Sequence, residues 1–299
     1  MARIDSLGNF LTDVASAIKE KKGDSTNIAA EDFDTEIENL PSGGGSHDWS
    51  AIGYSGEPET IAKGYNYAKD IYDNWDDSIT SLSETYLNNY DLVFFPKVNL
   101  ENVTNFNRTF INCKSLIEAD LFNIKATSYT STFLNCSALK EIKIINSSST
   151  NVSSINAMFS GCSTIERIDL SDFQGNIADI YQAFYYCSNL KYLDISGLKT
   201  SSNNLSANQA FDSCRKLETI KFNEDFKFPS NRTTYNMFNY CISLDDNTLN
   251  SILHICAISD GTPGTLRSLG FSSTYYPVSK IEALDNYQEF IDAGWTIGY

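Results

Sequence analysis

The sequence is poor in the side chains that chemistry most often needs. Its 299 residues hold two histidines, His47 and His254. Neither stands in a partner motif for a Ser-His-Asp or Cys-His arrangement, which requires a base beside a nucleophile. His254 is near Cys256 in sequence, but side chains two apart on a helix diverge. The seven cysteines include no close pair, the nearest being Cys241 and Cys256, whereas zinc sites favour Cys-x-x-Cys. Gly-rich phosphate loops and calcium loops are missing too. No apolar run reaches the ~20 residues of a membrane span, and the start, Met-Ala-Arg-Ile-Asp-Ser-Leu, lacks the apolar core of a secretion signal. Lys and Arg number 22 against 38 Asp and Glu, a net charge of −16. That balance argues against nucleic acid and anionic membranes as partners. No cofactor, no metal and no catalytic residue is therefore expected. Carboxylates are plentiful enough for a glycosidase-like pair, but Asp76-Asp77 and Asp245-Asp246 read as helix-start or turn residues.

What the sequence does have is repetition. Six of the seven cysteines share the frame Phe-x-x-Cys-x-x-Leu/Ile. The copies are Phe110-Cys113-Leu116, Phe133-Cys136-Leu139, Phe159-Cys162-Ile165, Phe184-Cys187-Leu190, Phe211-Cys214-Leu217 and Phe238-Cys241-Leu244. Successive cysteines are 23, 26, 25, 27 and 27 residues apart. A step in the twenties means stacked units, each too small to bury its own apolar face. The expected fold is a solenoid with buried, reduced thiols, because a ladder of equivalent cysteines offers each one two partners and no unique pairing.

The first five frames are each followed by a short alternating run: Ala119-Asp120-Leu121, Ile142-Lys143-Ile144, Ile168-Asp169-Leu170, Leu193-Asp194-Ile195 and Ile220-Lys221-Phe222. Period-two alternation puts apolar members on one face of a strand. Stacked in register, five such strands would form a narrow parallel sheet with polar loops at its edges, such as 146–150 and 201–204. Two columns of outward side chains would line that sheet. One is Asp120, Lys143, Asp169, Asp194 and Lys221; the other is Glu118, Glu141, Arg167, Tyr192 and Thr219. Mixed charge with an aromatic suits a sugar or a polar protein patch, although a sheet face can also simply be wet. Tyr185, Tyr186 and Tyr240, flanking the cysteines, offer an alternative surface.

The frame with its alternating run resembles the BspA-like leucine-rich repeats of bacterial surfaces and bacteriophage proteins. The resemblance spans Leu92 to Leu244 and implies an α+β leucine-rich repeat solenoid over residues 92–245. Ile165 in the third frame is a conservative departure, and Leu244-Asp245-Asp246 does not continue into a strand, so the array is expected to end there.

The ends of the chain differ from the repeats. Ile4, Leu7, Leu11, Val14 and Ile18 form one helical stripe; Phe33, Ile37 and Leu40 form a second, followed by Pro41 and Gly43-Gly44-Gly45. Residues 1–40 thus read as a helical attachment or oligomerisation segment and 41–47 as a linker. This stretch is similar to N-terminal segments of phage tail and minor structural proteins, which implies attachment to a tail or baseplate protein and, by resemblance alone, a trimer. Residues 48–91, with Trp49 and a stripe of Ile61, Tyr65, Ala68, Ile71, Tyr72 and Trp75, are expected to cap the first coil. Residues 246–299 are expected to cap the last, through a helix bearing Leu249, Ile252, Leu253 and Cys256, continued by Leu266, Leu269 and Phe271, and through Trp295 and Tyr299.

Together the resemblances imply a non-enzymatic, tail-associated receptor-binding protein, located on the virion tail or outside the cell after lysis, whose ligand is a bacterial surface glycan or protein. A leucine-rich repeat adhesin of the bacterial surface and a tail-associated glycan-degrading enzyme are the alternatives.

Overall fold

The computed structural model describes residues 58–145, 147, 149, 151–200, 205–228, 236–259, 267–271 and 275–298. The expected attachment helices, the linker with His47, residues 48–57 with Trp49, the 201–204 loop, Leu266 and Tyr299 lie outside the described residues. The chain divides into two compact units at Asn74/Trp75.

In the first unit, the expected stripe folds as helix α1 (Pro58–Asp73). Lys69 pairs with Asp73 one turn on, at 2.7 Å, and Ala68 is buried. Tyr72, expected on the packed face, is instead among the most exposed large side chains.

The second unit is a parallel-stranded solenoid built from the repeats. Strands β1 (Phe94–Asn99), β2 (Glu118–Phe122) and β3 (Glu141–Ile145) form one sheet. A second is made by β4 (Arg167–Asp169), β6 (Tyr192–Asp194) and β8 (Thr219–Lys221), while β5 (Gly175–Asn176) and β7 (Leu198–Lys199) pair beside it. All these pairings are parallel, one coil apart. The single expected sheet is thus divided after β3. At that step the Thr164 hydroxyl lies 2.9 and 2.8 Å from the Ser137 and Leu139 carbonyl oxygens, joining the coils through a side chain. Opposite the sheets runs a column of single-residue bridges, Ser128, Ser154, Asp179 and Ser206.

Between these two walls lies the core. All six frame phenylalanines and all six frame cysteines are fully buried. The rings stack nearly parallel from Tyr86 through Phe110, Phe133, Phe159, Phe184, Phe211 and Phe238 to Phe271. Successive centroids are 5.5, 5.2, 5.4, 5.9, 5.6, 5.0 and 5.9 Å apart. All seven cysteines are free thiols. Each frame thiol donates to the carbonyl of the aromatic residue one coil back: Cys113 to Tyr86, Cys136 to Phe110, Cys162 to Phe133, Cys187 to Phe159, Cys214 to Phe184 and Cys241 to Phe211, at 2.9–3.1 Å. The phenylalanine carbonyls also accept the amide of the cysteine in their own coil, as Cys136 to Phe133 at 3.0 Å, and the Tyr86 carbonyl accepts the Asn89 amide at 3.0 Å. The small, polarizable thiol therefore both packs and closes a donor. Burial pushes its pKa up, for Cys113 to about 12.

Tyr86 reveals a degenerate copy ahead of the first frame, Tyr86-x-x-Asn89-x-x-Leu92. Tyrosine replaces phenylalanine and asparagine replaces cysteine, and Asn89 turns its amide oxygen onto the amides of Asp91 and Leu92, each at 3.0 Å. Trp75 meets Phe95 edge-on at 6.4 Å and donates its indole N–H to the Asn99 carbonyl.

At the far end, helix α2 (Asp246–Ile258) buries Leu249, Ile252, Leu253 and Cys256 as expected, with Asp245 as N-cap accepting from the Thr248 amide at 2.7 Å. Leu269, expected to continue a helix, stands instead in strand β9 (Arg267–Gly270). It pairs in parallel with β10 (Trp295–Gly298), which follows the short helices α3 (Val278–Glu282) and α4 (Tyr287–Asp292). Backbone pairing to a distant segment overrides local periodicity here. Phe271, Phe290 and Trp295 are buried in this cap.

Candidate functional site

Each strand alternates, so one side chain enters the core and the next leaves the opposite face. The two outward columns read from the sequence do fall on register partners. In the first sheet Glu118 pairs with Glu141 and Asp120 with Lys143. In the second, Arg167, Tyr192 and Thr219 form one row and Asp169, Asp194 and Lys221 the other.

The columns are not uniformly solvated, which corrects the wet-face expectation. Glu118 and Asp120 are buried, at 5% and 7% exposure. Lys143 lies across them, paired with Glu118 and 4.0 Å from Asp120 Oδ1, which accepts no hydrogen bond. Burial pushes both carboxyls above their ordinary range, with the Lys143 ammonium offsetting it only in part. This half of the face is a closed ionic cluster.

Asp194 is buried as well, for another reason. Its Oδ1 accepts the Ser196 hydroxyl at 2.6 Å and the Ser196 amide at 3.1 Å, and its Oδ2 accepts the Tyr192 hydroxyl at 3.0 Å. Burial acts to raise this carboxyl, but the Ser196 bonds and the Tyr192 hydroxyl outweigh it and hold it below its ordinary value. Asp169 makes the same turn with Ser171. The Asp-x-Ser that ends both β4 and β6 is thus a turn device, a signal legible in the sequence but taken there only as part of a column.

What remains open is the face of β4, β6 and β8. Arg167 and Lys221 keep 57% of their side chains exposed, and they flank Tyr192. The guanidinium carbon lies 3.7 Å from the ring centroid and the Lys221 ammonium 5.4 Å from it. The ring is held by two cations that lie over it and by its own hydroxyl bond to Asp194, so the row is preorganised while the cations themselves stay exposed.

Beyond β8 the face runs into a groove of about 700 Å³ between that strand and α2. Thr219 and Lys221 contribute from the strand, Asn250, Ser251 and His254 from the helix, and Asn286 from the cap. Thr219 Oγ1 bonds Asp245 at 2.9 Å, and Thr248 Oγ1 accepts the Ile220 amide at 3.2 Å, fixing helix to sheet edge. His254 pairs with Glu289 at 3.1 Å while Cys256 is buried away from it. Thr219 and Lys221 read from the sequence as outward strand residues; Asn250, Ser251 and Asn286 carry no such signal, since no local pattern places α2 and the cap beside β8.

Among the described residues no group of three or more His, Cys, Asp or Glu side chains could hold a metal ion, and no helix is long and apolar enough to cross a membrane. The arrangement offers hydrogen-bond donors and acceptors, two cations and one aromatic plane.

No family model and no curated protein matches the chain. Solved structures similar to it include a TLR13–ssRNA13 complex, at 19% identity and TM-score 0.36. That match covers 66% of this chain and 30% of the other, so the chain spans under a third of that protein. Internalin C2 from Listeria monocytogenes str. 4b F2365 is similar at 15% identity and TM-score 0.26, over 95% of this chain and 92% of the other. At such scores the repeat architecture rests on the chain's own register pairs and ring stack.

Proposed function

We propose that this chain is a non-enzymatic receptor-binding protein of a phage or prophage tail, recognising a bacterial surface glycan or surface protein through its repeat array. The observation that carries the reading is the preorganised row Arg167–Tyr192–Thr219 with Lys221 beside it, its cations exposed, opening into the groove at α2. A rigid coil stack presents such a row at little entropic cost on binding. The net charge of −16 steers the reading towards neutral or cationic ligands and away from nucleic acid. Attachment through residues 1–40 to a tail or baseplate protein, as a trimer, follows from the resemblance of that segment.

The test is saturable binding of the full chain to a panel of bacterial cells and to their isolated surface glycans, with protein and glycan ligands separated by prior protease treatment. Binding to such cells supports the reading. Binding only to animal matrix proteins favours the surface adhesin, and sugar release from the isolated glycans would replace a binding module with an enzyme.

A further inference from the structure

The residue before each frame cysteine adopts a left-handed backbone. The column runs Asn88, Asn112, Asn135, Gly161, Tyr186, Ser213, Tyr240, with φ between 56° and 78°. Asparagine and glycine suit that conformation; tyrosine does not, because a bulky side chain is strained there. The first three positions follow the local rule and form an amide ladder. Asn112 donates to Asn88 at 2.8 Å, and Asn135 donates to Asn112 at 3.0 Å.

The ladder stops at Gly161. Asn135 Oδ1 lies 2.5 Å from where a Gly161 Cβ would stand, so the last acceptor of the ladder leans over a position without a side chain. On the other side the column resumes with Tyr186, 52% exposed and held edge-on by Tyr185 at 4.5 Å and 73°. Between them is a notch of about 360 Å³, within the size range of small-ligand pockets. Ser160, Ser163 and Ser188 complete its lining, and no side chain in it is a carboxylate, ammonium, guanidinium or imidazole.

We propose that this notch is a binding subsite for a neutral sugar ring. The flat C–H face of a pyranose is apolar and weakly positive, which matches the negative face of the Tyr186 ring. Its hydroxyl groups meet the Asn135 acceptor and the serine hydroxyls, all uncharged hydrogen-bonding partners. An ionic ligand would find no counter-charge in the notch, and the chain's net charge of −16 repels anionic sugars further. The site lies at the cysteine turns rather than among the outward side chains of the strands, and it does not depend on the strand face binding anything. A strained, exposed tyrosine where asparagine would fit better is the mark of a side chain kept for contact and not for folding.

Two substitutions separate contact from folding. Tyr186→Asn removes the ring and places a tolerant residue in the left-handed position. Gly161→Asn extends the amide ladder and fills the notch; the nearest atom to its Cβ is the side-chain oxygen of Asn135, which must turn aside to admit it. Saturation-transfer NMR on the full chain, with glucose, galactose, N-acetylglucosamine and their short oligomers, reads the ligand. The expected result is transfer from at least one neutral sugar, weakened at least tenfold by either substitution, with the melting temperature of Tyr186→Asn equal to or above that of the parent. Transfer unchanged in both variants, or no transfer from any neutral sugar, overturns the proposal. Repeating both substitutions in a Tyr192→Ala background, where the strand face no longer contributes, assigns the remaining transfer to the notch, so failure of one site is distinguishable from failure of the other.

Discussion

The Cys162 thiol donates to the carbonyl of Phe133, one coil back, at 3.1 Å. Cys136, in the same coil as Phe133, gives that oxygen its backbone N–H at 3.0 Å. One backbone oxygen thus joins the turn of its own coil to the core of the next and fixes the place of the cysteine, while the ring stack on Phe110 and Phe159 fixes the phenylalanine. Cys162→Ala keeps the fold but leaves a small void and one acceptor lone pair unused. The expected loss is about 1–3 kcal/mol, measured by denaturant unfolding with an unchanged m-value.

The ring column predicts a gradient along the stack. Phe159 is fully buried between Phe133 and Phe184 at 5.4 and 5.9 Å. Phe159→Ala should cost about 3–5 kcal/mol. Phe271→Ala, at the end of the column with one ring neighbour in it, should cost less, and equal losses would argue against a stack whose interior is its most constrained part.

Asp120 predicts a pH dependence with a definite sign. Burial raises its folded pKa above that of the unfolded chain, so its contribution to stability is full below the unfolded value, about 4, and is lost as pH rises through the folded one. Asp120→Asn cannot titrate. The variant and parent should therefore melt alike near pH 3, with the variant higher by pH 7; a variant melting lower at neutral pH would mean that the Lys143 pairing dominates.

Ligand binding should depend on the strand face that stays open. Tyr192→Ala removes the plane between Arg167 and Lys221 and should weaken cell binding about tenfold or more. Lys125→Ala, which breaks an exposed pair with Glu101 elsewhere on the array, should leave it unchanged.

The sequence made the repeats legible because stacking forces equivalent positions to share one environment, so Phe110 through Phe238 could not vary. It hid the copy at Tyr86 because a tyrosine and an asparagine can serve the same turn without matching the letters. Alternation set Glu118 beside Glu141 and Asp120 beside Lys143, partners that the register keeps, but a period says nothing about what lies over a side chain, and both carboxylates are buried. The division after β3, where Thr164 joins the coils through its side chain, is a feature that no periodicity encodes. Strand β9 was misread as helix because its partner, Trp295–Gly298, lies more than twenty residues away. The notch at Gly161 appeared only when backbone angles showed tyrosine standing in a row of asparagines.

Thiol counting by mass spectrometry, after a short pulse of a small alkylating reagent, tests the stack most directly. All seven cysteines are buried and free, so the folded chain should take up essentially no label and the chain in denaturant should take up seven. Rapid labelling of several frame cysteines in the folded chain, or fewer than seven labels in denaturant because native disulfides had formed, would contradict the ladder on which the fold is built.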